Sequence, residues 1–438
     1  MKLTAHHIGR LQNIAHPEQR AAYIKQHVNP EAVNLSTAEN VLLLNFYQQN
    51  VFDNLGPVTL ETIKYPMQYI YGIDPYRESI QDFLNHQWNV SVNYENIYGS
   101  SGVVAALEVL ALALFKPGDV LLAPAPLWYG FPWSFSQTAG MKFVTFQIAD
   151  GVNLTVADLE KALQQNPTAK LLVLTNPNNP LGVNYTKELQ EELYSVFLAD
   201  PSRQIISDEI YAGSQVKSKN EFVSALTLDA YKKNPDRIHV TWGLSKDFGL
   251  AGFRLGFMIS QSPAVQTALQ GTDCLASLAW FSPFVTPNIY MTKKLFLNKE
   301  GNPDPALANQ TMKVYKGLLD DQYQASAKHL KKGNIPYFEG NDGAIFFWID
   351  LSAYLDRVPK SVSDQPRLCP SLYTYDDPRE ARLLNYIAEA ADVLLVRGQE
   401  CFNEKPGYFR LCYTAEEKDR VTMGIDKMAA ELNALPPA

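Results

Sequence analysis

Short apolar runs alternate with amphipathic segments through the middle of the chain. This alternation is typical of parallel strands that are connected by helices. A loop with polar or glycine residues follows each run, and ligand groups in open α/β sheets lie at such carboxyl ends of strands. The predicted strands are Val120–Ala123, Lys170–Thr175, Gln204–Ser207 and Arg237–Thr241.

The pattern changes after about residue 310. A long polar helix is followed by a strand at Gly343–Leu351, another helix and a last strand near Phe409–Tyr413. This order predicts a smaller α+β unit. We therefore expect a large domain at 46–309 with a mostly parallel sheet covered by helices, a small domain at 310–438, and an N-terminal segment, 1–45, that joins the small domain.

Composition and charge narrow the class of protein. The chain has 438 residues, 46% of them hydrophobic, and a formal net charge of -8, which disfavours nucleic acid as a partner. The longest apolar run, Val103–Phe115, contains Glu108 and is too short to span a membrane, so we expect a buried helix. The start of the chain lacks the apolar stretch of a secretory signal. Four cysteines without metal-ligand spacing favour a reducing cytoplasm and no metal site.

A lysine lies in a glycine-rich turn after the last predicted strand of the middle region. Lys246 is followed eight residues later by Arg254. An isolated lysine in such a loop is usually a solvated charge. Desolvation or a nearby positive charge can instead lower the pKa of a lysine and make it a nucleophile towards an aldehyde cofactor. The Arg254 guanidinium also suits a phosphate group.

Two further strand ends carry polar side chains. Asp208 ends the apolar run at 205–207, and its carboxylate could keep the ring nitrogen of a pyridoxal cofactor protonated or could equally cap a helix. Tyr211 follows after one turn and could reach the ring hydroxyl. Asn179, in a proline-flanked turn after another strand, could donate to the same oxygen.

The run Ser100-Ser101-Gly102 opens the apolar helix at Val103. Helix N-termini with small residues bind phosphate through free amides, although a simple helix cap explains these residues at least as well. Trp128, further along, could stack on a flat ring or belong to the core.

Taken in order, the strings SSG, PAPLWYG, NPNNPLG, SDEIY and GLSKDFGLAGFRLG resemble the class I/II aminotransferases of fold type I. The resemblance covers nearly the whole chain and implies pyridoxal 5'-phosphate as cofactor. Local strings are most similar to the 1-aminocyclopropane-1-carboxylate synthase branch, among them AEN at 38–40, GAIFFWID at 343–350 and CFNEKPGYFR at 401–410.

The resemblance implies a role for each candidate residue. Lys246 forms the Schiff base, Asp208 pairs with the pyridine nitrogen, and Asn179 and Tyr211 contact the O3' oxygen. Arg410 binds the substrate α-carboxylate, with Glu39 and Asn179 also near the substrate. The residues left for the phosphate and the ring are Ser100, Ser101, Gly102, Ser245, Arg254 and Trp128.

Two positions depart from the family pattern. Gly243 stands where the family commonly has a phosphate-binding serine, so one phosphate hydroxyl is either missing or replaced by that of Ser245. Ile70 stands where the synthase branch has a tyrosine that crosses from the neighbouring subunit, with Tyr69 and Tyr71 on either side. We expect Tyr71 or Tyr69 to take this role in a homodimer with shared sites.

The sequence is therefore interpreted as an aminotransferase that acts on an α-amino acid with a 2-oxo acid acceptor. Loss of a γ-substituent with or without ring closure, as in the synthase branch, is the alternative that uses the same residues. A cofactor-sensing regulator is a third alternative, but the roughly 35 residues before the first motif do not suggest a DNA-binding module.

Overall fold

A computed structural model describes residues 32–51, 74–216, 220–270, 293–364 and 377–437. The chain divides into two compact units. Of the described residues, those within Glu39–Asp321 and Gly340–Ile345 form the larger unit, and those within Met1–Ala38, Gln322–Glu339 and Phe346–Ala438 form the smaller one. The expected domain boundaries after residues 45 and 309 remain predictions.

Strands and helices are numbered in chain order. The strands are β1 (Val33–Asn34), β2 (Ile97–Ser100), β3 (Val120–Ala125), β4 (Lys142–Gln147), β5 (Ala169–Thr175), β6 (Gln204–Asp208), β7 (Ile238–Gly243), β8 (Gly256–Ile259), β9 (Phe346–Asp350), β10 (Val393–Leu394), β11 (Val396–Arg397) and β12 (Tyr408–Cys412). The helices are α1 (Leu44–Asn50), α2 (Asp74–Trp88), α3 (Val103–Leu114), α4 (Val156–Gln165), α5 (Lys187–Leu198), α6 (Asp229–Lys233), α7 (Leu244–Asp247), α8 (Pro263–Gln270), α9 (Ala306–Lys332), α10 (Pro378–Ala390) and α11 (Lys418–Ala434).

The larger unit contains a seven-stranded sheet in the order β2-β8-β7-β6-β5-β3-β4. Strand β8 is antiparallel to both of its neighbours, and the other pairs are parallel. Central strands such as β5 are buried almost throughout, because helices cover both faces of such a sheet. The predicted α/β fold class is confirmed, and the predicted buried helix at Val103–Phe115 is α3.

Local sequence signals explain where several helices of this unit begin. Thr155 and Asp158 form a reciprocal capping box at the start of α4. The Thr186 side chain accepts from the Leu189 amide and caps α5 in the same manner. These polar residues interrupt the apolar runs, and they therefore separate strands from helices along the chain.

The smaller unit contains the antiparallel sheet β11-β12-β9 and the parallel pair β1-β10. Tyr323, Phe347 and Tyr413 pack together in it, with the first two rings stacked at a centroid distance of 4.8 Å. Within the described residues, no helix is long and apolar enough to cross a membrane.

A buried histidine lies in the central sheet of the larger unit. His239, on β7, hydrogen-bonds through Nδ1 to Ser260 Oγ at 2.9 Å and through Nε2 to Gln204 Oε1 at 2.8 Å. Burial lowers the pKa of His239 to about 3. The native protein therefore holds this ring neutral at a pH where the unfolded chain, with an ordinary histidine pKa of about 6.5, takes up a proton.

We predict that His239→Gln removes one source of acid sensitivity. Because the folded pKa is depressed, the contribution of the histidine to stability is present above pH 6.5 and is lost as the pH falls. The difference in unfolding free energy between wild type and variant should be flat above pH 7 and decrease by roughly 1.4 kcal/mol per pH unit below pH 6. Urea unfolding at pH 7.5, 6 and 5 measures it, and a pH-independent difference would contradict the assignment.

Candidate active site

Several of the candidate residues lie along one edge of the seven-stranded sheet. Strands β2, β6 and β7 end at this edge, and the antiparallel β8 begins there. The register pairs Asp208 with Thr241, and it pairs Gly256 with both Gly243 and Ser100. Segments that are far apart in the sequence are therefore neighbours at the carboxyl ends of the parallel strands.

Asp208 is the last residue of β6 and is only 4% exposed. Thr241 Oγ1 donates to its Oδ1 at 3.1 Å. Burial raises the pKa of Asp208 to about 7, against the hydrogen bonds from Thr241 and the Ile210 amide and the positive charge of Lys246. Turns rather than a helix follow this residue, so the alternative of a helix cap is wrong.

Asn179 and Tyr211 are brought together from different loops. Both side chains are buried, and Asn179 Nδ2 donates to Tyr211 Oη at 3.3 Å. Two groups that can donate to one acceptor oxygen therefore lie side by side. The roles implied by the family resemblance predict this proximity. It arises because β5 and β6, which precede the two loops, pair in parallel.

Lys246 lies in the single turn of α7, directly after β7. The residue is half-buried, and Asn40 Nδ2 donates to its carbonyl oxygen at 2.7 Å. Ser245 beside it is buried. At Gly243, a Cβ would lie 2.6 Å from the Leu255 carbonyl oxygen, so close packing excludes the serine of the family pattern here.

Helix α3 begins beside Arg254. Its N-cap is Gly102, the last residue of the SSG run, with φ +85° and no side-chain cap, so neither serine hydroxyl caps the helix. Ser100 Oγ instead donates to the Gly102 carbonyl at 3.1 Å. Arg254 Nη2 donates to the Ser101 carbonyl at 3.3 Å, and the exposed guanidinium lies over the start of the helix. Free helix amides and a guanidinium therefore adjoin each other.

Trp128 is half-buried in a group of aromatic rings. Ring centroids lie 5.4 Å away at Phe131, 5.9 Å at Trp133 and 6.2 Å at Tyr129. This environment holds the indole in one orientation, and it is compatible with both roles proposed from the sequence.

Three further candidate residues lie elsewhere in the chain. Glu39 lies in the larger unit, where its Oε1 accepts from the Asn40 amide at 3.1 Å. Arg410 lies on β12 in the smaller unit, 1% exposed, with Nη2 donating to the Ser36 carbonyl at 2.8 Å. Tyr71, like Tyr69 and Ile70, lies outside the described residues.

Sequence reasoning did not single out Thr241 or Asp247. Thr241 is a polar residue in a mostly apolar strand, and this signal could have indicated a buried partner for a neighbouring strand end. Asp247 follows Lys246 in a turn that reads as exposed, yet it is fully buried. No periodicity in the sequence indicates that burial.

The aminotransferase class I and II family matches residues 66–427, well over half of the chain. The chain belongs to this family. The resemblance to class I/II aminotransferases is therefore confirmed, and the protein is an enzyme of a family that depends on pyridoxal 5'-phosphate.

Relatives of this chain include proteins with different named activities. A 1-aminocyclopropane-1-carboxylate synthase 6 from Oryza sativa subsp. japonica is 26% identical over 82% of this chain, which spans only 62% of that protein. A probable aminotransferase, tcpI, from Claviceps purpurea is 29% identical over 90% of this chain and 88% of its own length. This chain thus spans less than two thirds of the synthase.

Solved structures support the fold. A double mutant of Thermus thermophilus aspartate aminotransferase superimposes with a TM-score of 0.66 over 98% of this chain and 97% of its own. At 19% identity, this likeness concerns the fold alone. The predicted fold type I is confirmed.

We predict that Gly102→Ala weakens binding of the cofactor of this family. The new Cβ would lie 2.4 Å from Arg254 Nη2, and the positive φ disfavours any side chain, so the guanidinium must move. Loss of one charge-assisted hydrogen bond corresponds to at least about tenfold in affinity.

Fluorescence titration of the cofactor-free protein with pyridoxal 5'-phosphate measures this change. Gly252→Ala is the matched control, because no atom lies within 4 Å of a Cβ there. Equal affinities for the two variants would show that Arg254 does not contact the phosphate.

Proposed function

We propose that the protein is a pyridoxal-phosphate-dependent aminotransferase that transfers the amino group of an α-amino acid to a 2-oxo acid. One observation carries the proposal. A half-buried lysine and a buried carboxylate lie at adjacent strand ends, where the positive charge of Lys246 opposes the increase that burial causes in the pKa of Asp208. An acid and a base in such different environments suit proton transfer at neutral pH.

The residues at this edge fit the cofactor. Asp208 is a buried carboxylate that a protonated ring nitrogen would compensate, since an unpaired buried charge is costly. Asn179 and Tyr211 would hold the ring oxygen, with Trp128 beside the ring. Ser100, Ser101, Gly102, Ser245 and Arg254 would surround the phosphate. When bound, pyridoxal phosphate supplies an aldehyde carbon for the amino group and a ring that withdraws electrons.

Lys246 would act twice. Its amine would hold the cofactor covalently, and once a substrate amine had replaced it, the free amine would be available as a base. It would then remove the proton from the substrate Cα and return it to the cofactor carbon that carried the aldehyde, with Tyr211 and Asn179 fixing the ring orientation, and water would release the 2-oxo acid. The carboxylate of Asp208 would keep the ring nitrogen protonated.

Arg410 is proposed as the group that binds the substrate α-carboxylate. Its guanidinium is held by the Ser36 carbonyl and lies 4.4 Å from the centre of the Phe346 ring, so its orientation is set within its own unit. A planar fork of donors recognises a carboxylate at two points. Glu39, with Asn179, is proposed to contact the rest of the substrate.

Loss of a γ-substituent, as the named activity of the rice relative suggests, is the second candidate. It would require a leaving group held in line with the reacting bond, which takes additional contacts. Ile70 replaces a hydroxyl aromatic of that branch, whereas transfer needs only that Lys246 move a proton from Cα to the cofactor carbon that carried the aldehyde. The Claviceps relative, which this chain matches over most of its length, supports transfer.

A homodimer in the cytoplasm completes the proposal. The segment with Tyr69 and Tyr71 is expected to reach the site of a neighbouring subunit, by resemblance to the family. The acidic net charge of -8 and the low cysteine content support a reducing compartment and no nucleic-acid partner.

We predict that Lys246→Ala retains pyridoxal phosphate through phosphate and ring contacts but loses nearly all turnover. The near-visible absorbance of the lysine-bound cofactor should disappear, because the covalent bond cannot form. Lys232→Ala, which removes an exposed lysine paired with Asp229, should leave absorbance and turnover unchanged. Borohydride labelling of a lysine other than 246 in the wild type would refute the assignment.

The choice between transfer and elimination is tested with ¹⁵N-labelled amino acids, with and without 2-oxoglutarate, and with S-adenosylmethionine. We expect the label to appear in glutamate only when the acceptor is present, together with little turnover of S-adenosylmethionine. Mass spectrometry identifies the products. Release of a γ-substituent that does not depend on the acceptor would support the second candidate instead.

A further inference from the structure

Residues 246–248, here called the lysine turn, are each hydrogen-bonded to other segments of the larger unit. The Lys246 carbonyl accepts from Asn40 Nδ2, and the Phe248 carbonyl accepts from Tyr47 Oη, both at 2.7 Å. These two bonds hold the backbone from the side of α1 and the residues before it. Between them lies Asp247, whose side chain is fully buried.

The Asp247 carboxylate accepts three hydrogen bonds. Its Oδ2 accepts from the Gly213 amide at 2.8 Å and from Trp242 Nε1 at 2.9 Å, and its Oδ1 accepts from Ser214 Oγ at 2.7 Å. Burial raises the pKa of Asp247 to about 6, while these three bonds favour the ionised form. The carboxylate thus joins the lysine turn to the turn at 211–214.

This second turn begins at Tyr211, which has been proposed to contact the cofactor ring. Ser214 is held further by Tyr315 Oη, at 2.9 Å from its hydroxyl oxygen. Since Ser214 donates its only proton to Asp247, Tyr315 is the donor in that contact. Helix α9 therefore supports the turn to which Asp247 is bonded.

A lysine side chain carries its amine on a flexible stem of four methylene carbons. The surrounding structure can therefore fix the lysine backbone more firmly than the amine itself. Precise function requires that the supporting residues be held by their own hydrogen bonds. Building on the proposed function, we propose that Asp247 is a positioning residue, which holds the Lys246 backbone against the Tyr211 turn through Gly213 and Ser214.

Two substitutions separate the geometry of Asp247 from its charge. In Asp247→Asn, the amide oxygen can accept from Gly213 and Trp242, and its NH₂ can donate to Ser214, which then donates to Tyr315. The connection is kept without the charge. Asp247→Ala removes all three bonds. Asp342→Ala serves as a matched control, because this buried carboxylate accepts from Asn184 and Asn220, in other loops.

The first measurement is the rate at which pyridoxal phosphate becomes attached to Lys246, trapped by borohydride. Asp247→Ala should slow attachment at least about tenfold, since small displacements of a reacting group reduce rates strongly. Asp247→Asn and Asp342→Ala should stay within about threefold of wild type. The proposal would be overturned if Asp247→Ala attached the cofactor at the wild-type rate, or if Asp247→Asn were as slow as Asp247→Ala.

The second measurement is the affinity for 4'-deoxypyridoxine 5'-phosphate, which lacks the aldehyde and cannot bond to lysine. A positioning role predicts affinity within about threefold of wild type in Asp247→Ala, because phosphate and ring contacts are retained. An affinity reduced as much as the attachment rate would show general damage and contradict the proposal. If Asp247→Ala does not fold, Ser214→Ala, which removes one bond, should slow attachment about fivefold, outside the range expected for the controls.

A third measurement does not use the cofactor. Acetic anhydride labelling of the cofactor-free protein, quantified by mass spectrometry, gives the relative reactivity of Lys246. In Asp247→Ala, the reactivity of Lys246 should move towards that of the exposed Lys232, whereas in Asp247→Asn it should stay at the wild-type level. Unchanged reactivity of Lys246 in Asp247→Ala would contradict a positioning role. Absence of attachment in the wild type would instead refute the proposed function, and the labelling result would still decide the role of Asp247.

Discussion

A carboxylate that is buried at the end of a strand must be compensated, and this requirement organises the larger unit around Asp208. Desolvation raises the pKa of this group to about 7, so even its ionisation depends on its neighbours. Thr241 donates to it from the adjacent strand, and the positive charge of Lys246 acts on it from the turn beyond. The register between β6 and β7 therefore sets the electrostatics of the site as well as the shape of the sheet.

The lysine turn is likewise held in place by contacts from distant segments. Asn40, Asp247 and Tyr47 each fix one point of the backbone between residues 246 and 248, while the lysine amine itself stays on a flexible stem. A rigid base with a mobile end suits the two roles proposed for Lys246, which are holding a cofactor and moving a proton. Buried hydrogen bonds, rather than ion pairs, supply this rigidity, and they are less sensitive to salt.

The two candidate reactions share every residue at the sheet edge, so this edge cannot distinguish them. The difference lies in what surrounds the substrate side chain, since specificity depends on pocket shape and a few polar contacts. Arg410, held by Ser36 and the Phe346 ring, is suited to the carboxylate that both reactions have in common. Glu39 and the residue at position 70 are where the two reactions should diverge.

Alternating apolar runs, polar residues at strand ends and the spaced motifs determined the α/β class, the family and most candidate residues, because these features are local. The tertiary structure decided what depends on contacts between distant segments: Thr241 beside Asp208, Gly102 beneath Arg254, and the burial of Asp247. A turn such as the one at 246–248 has the composition of a surface loop, and only the packing of α1 and the 211–214 turn around it makes its polar side chains internal.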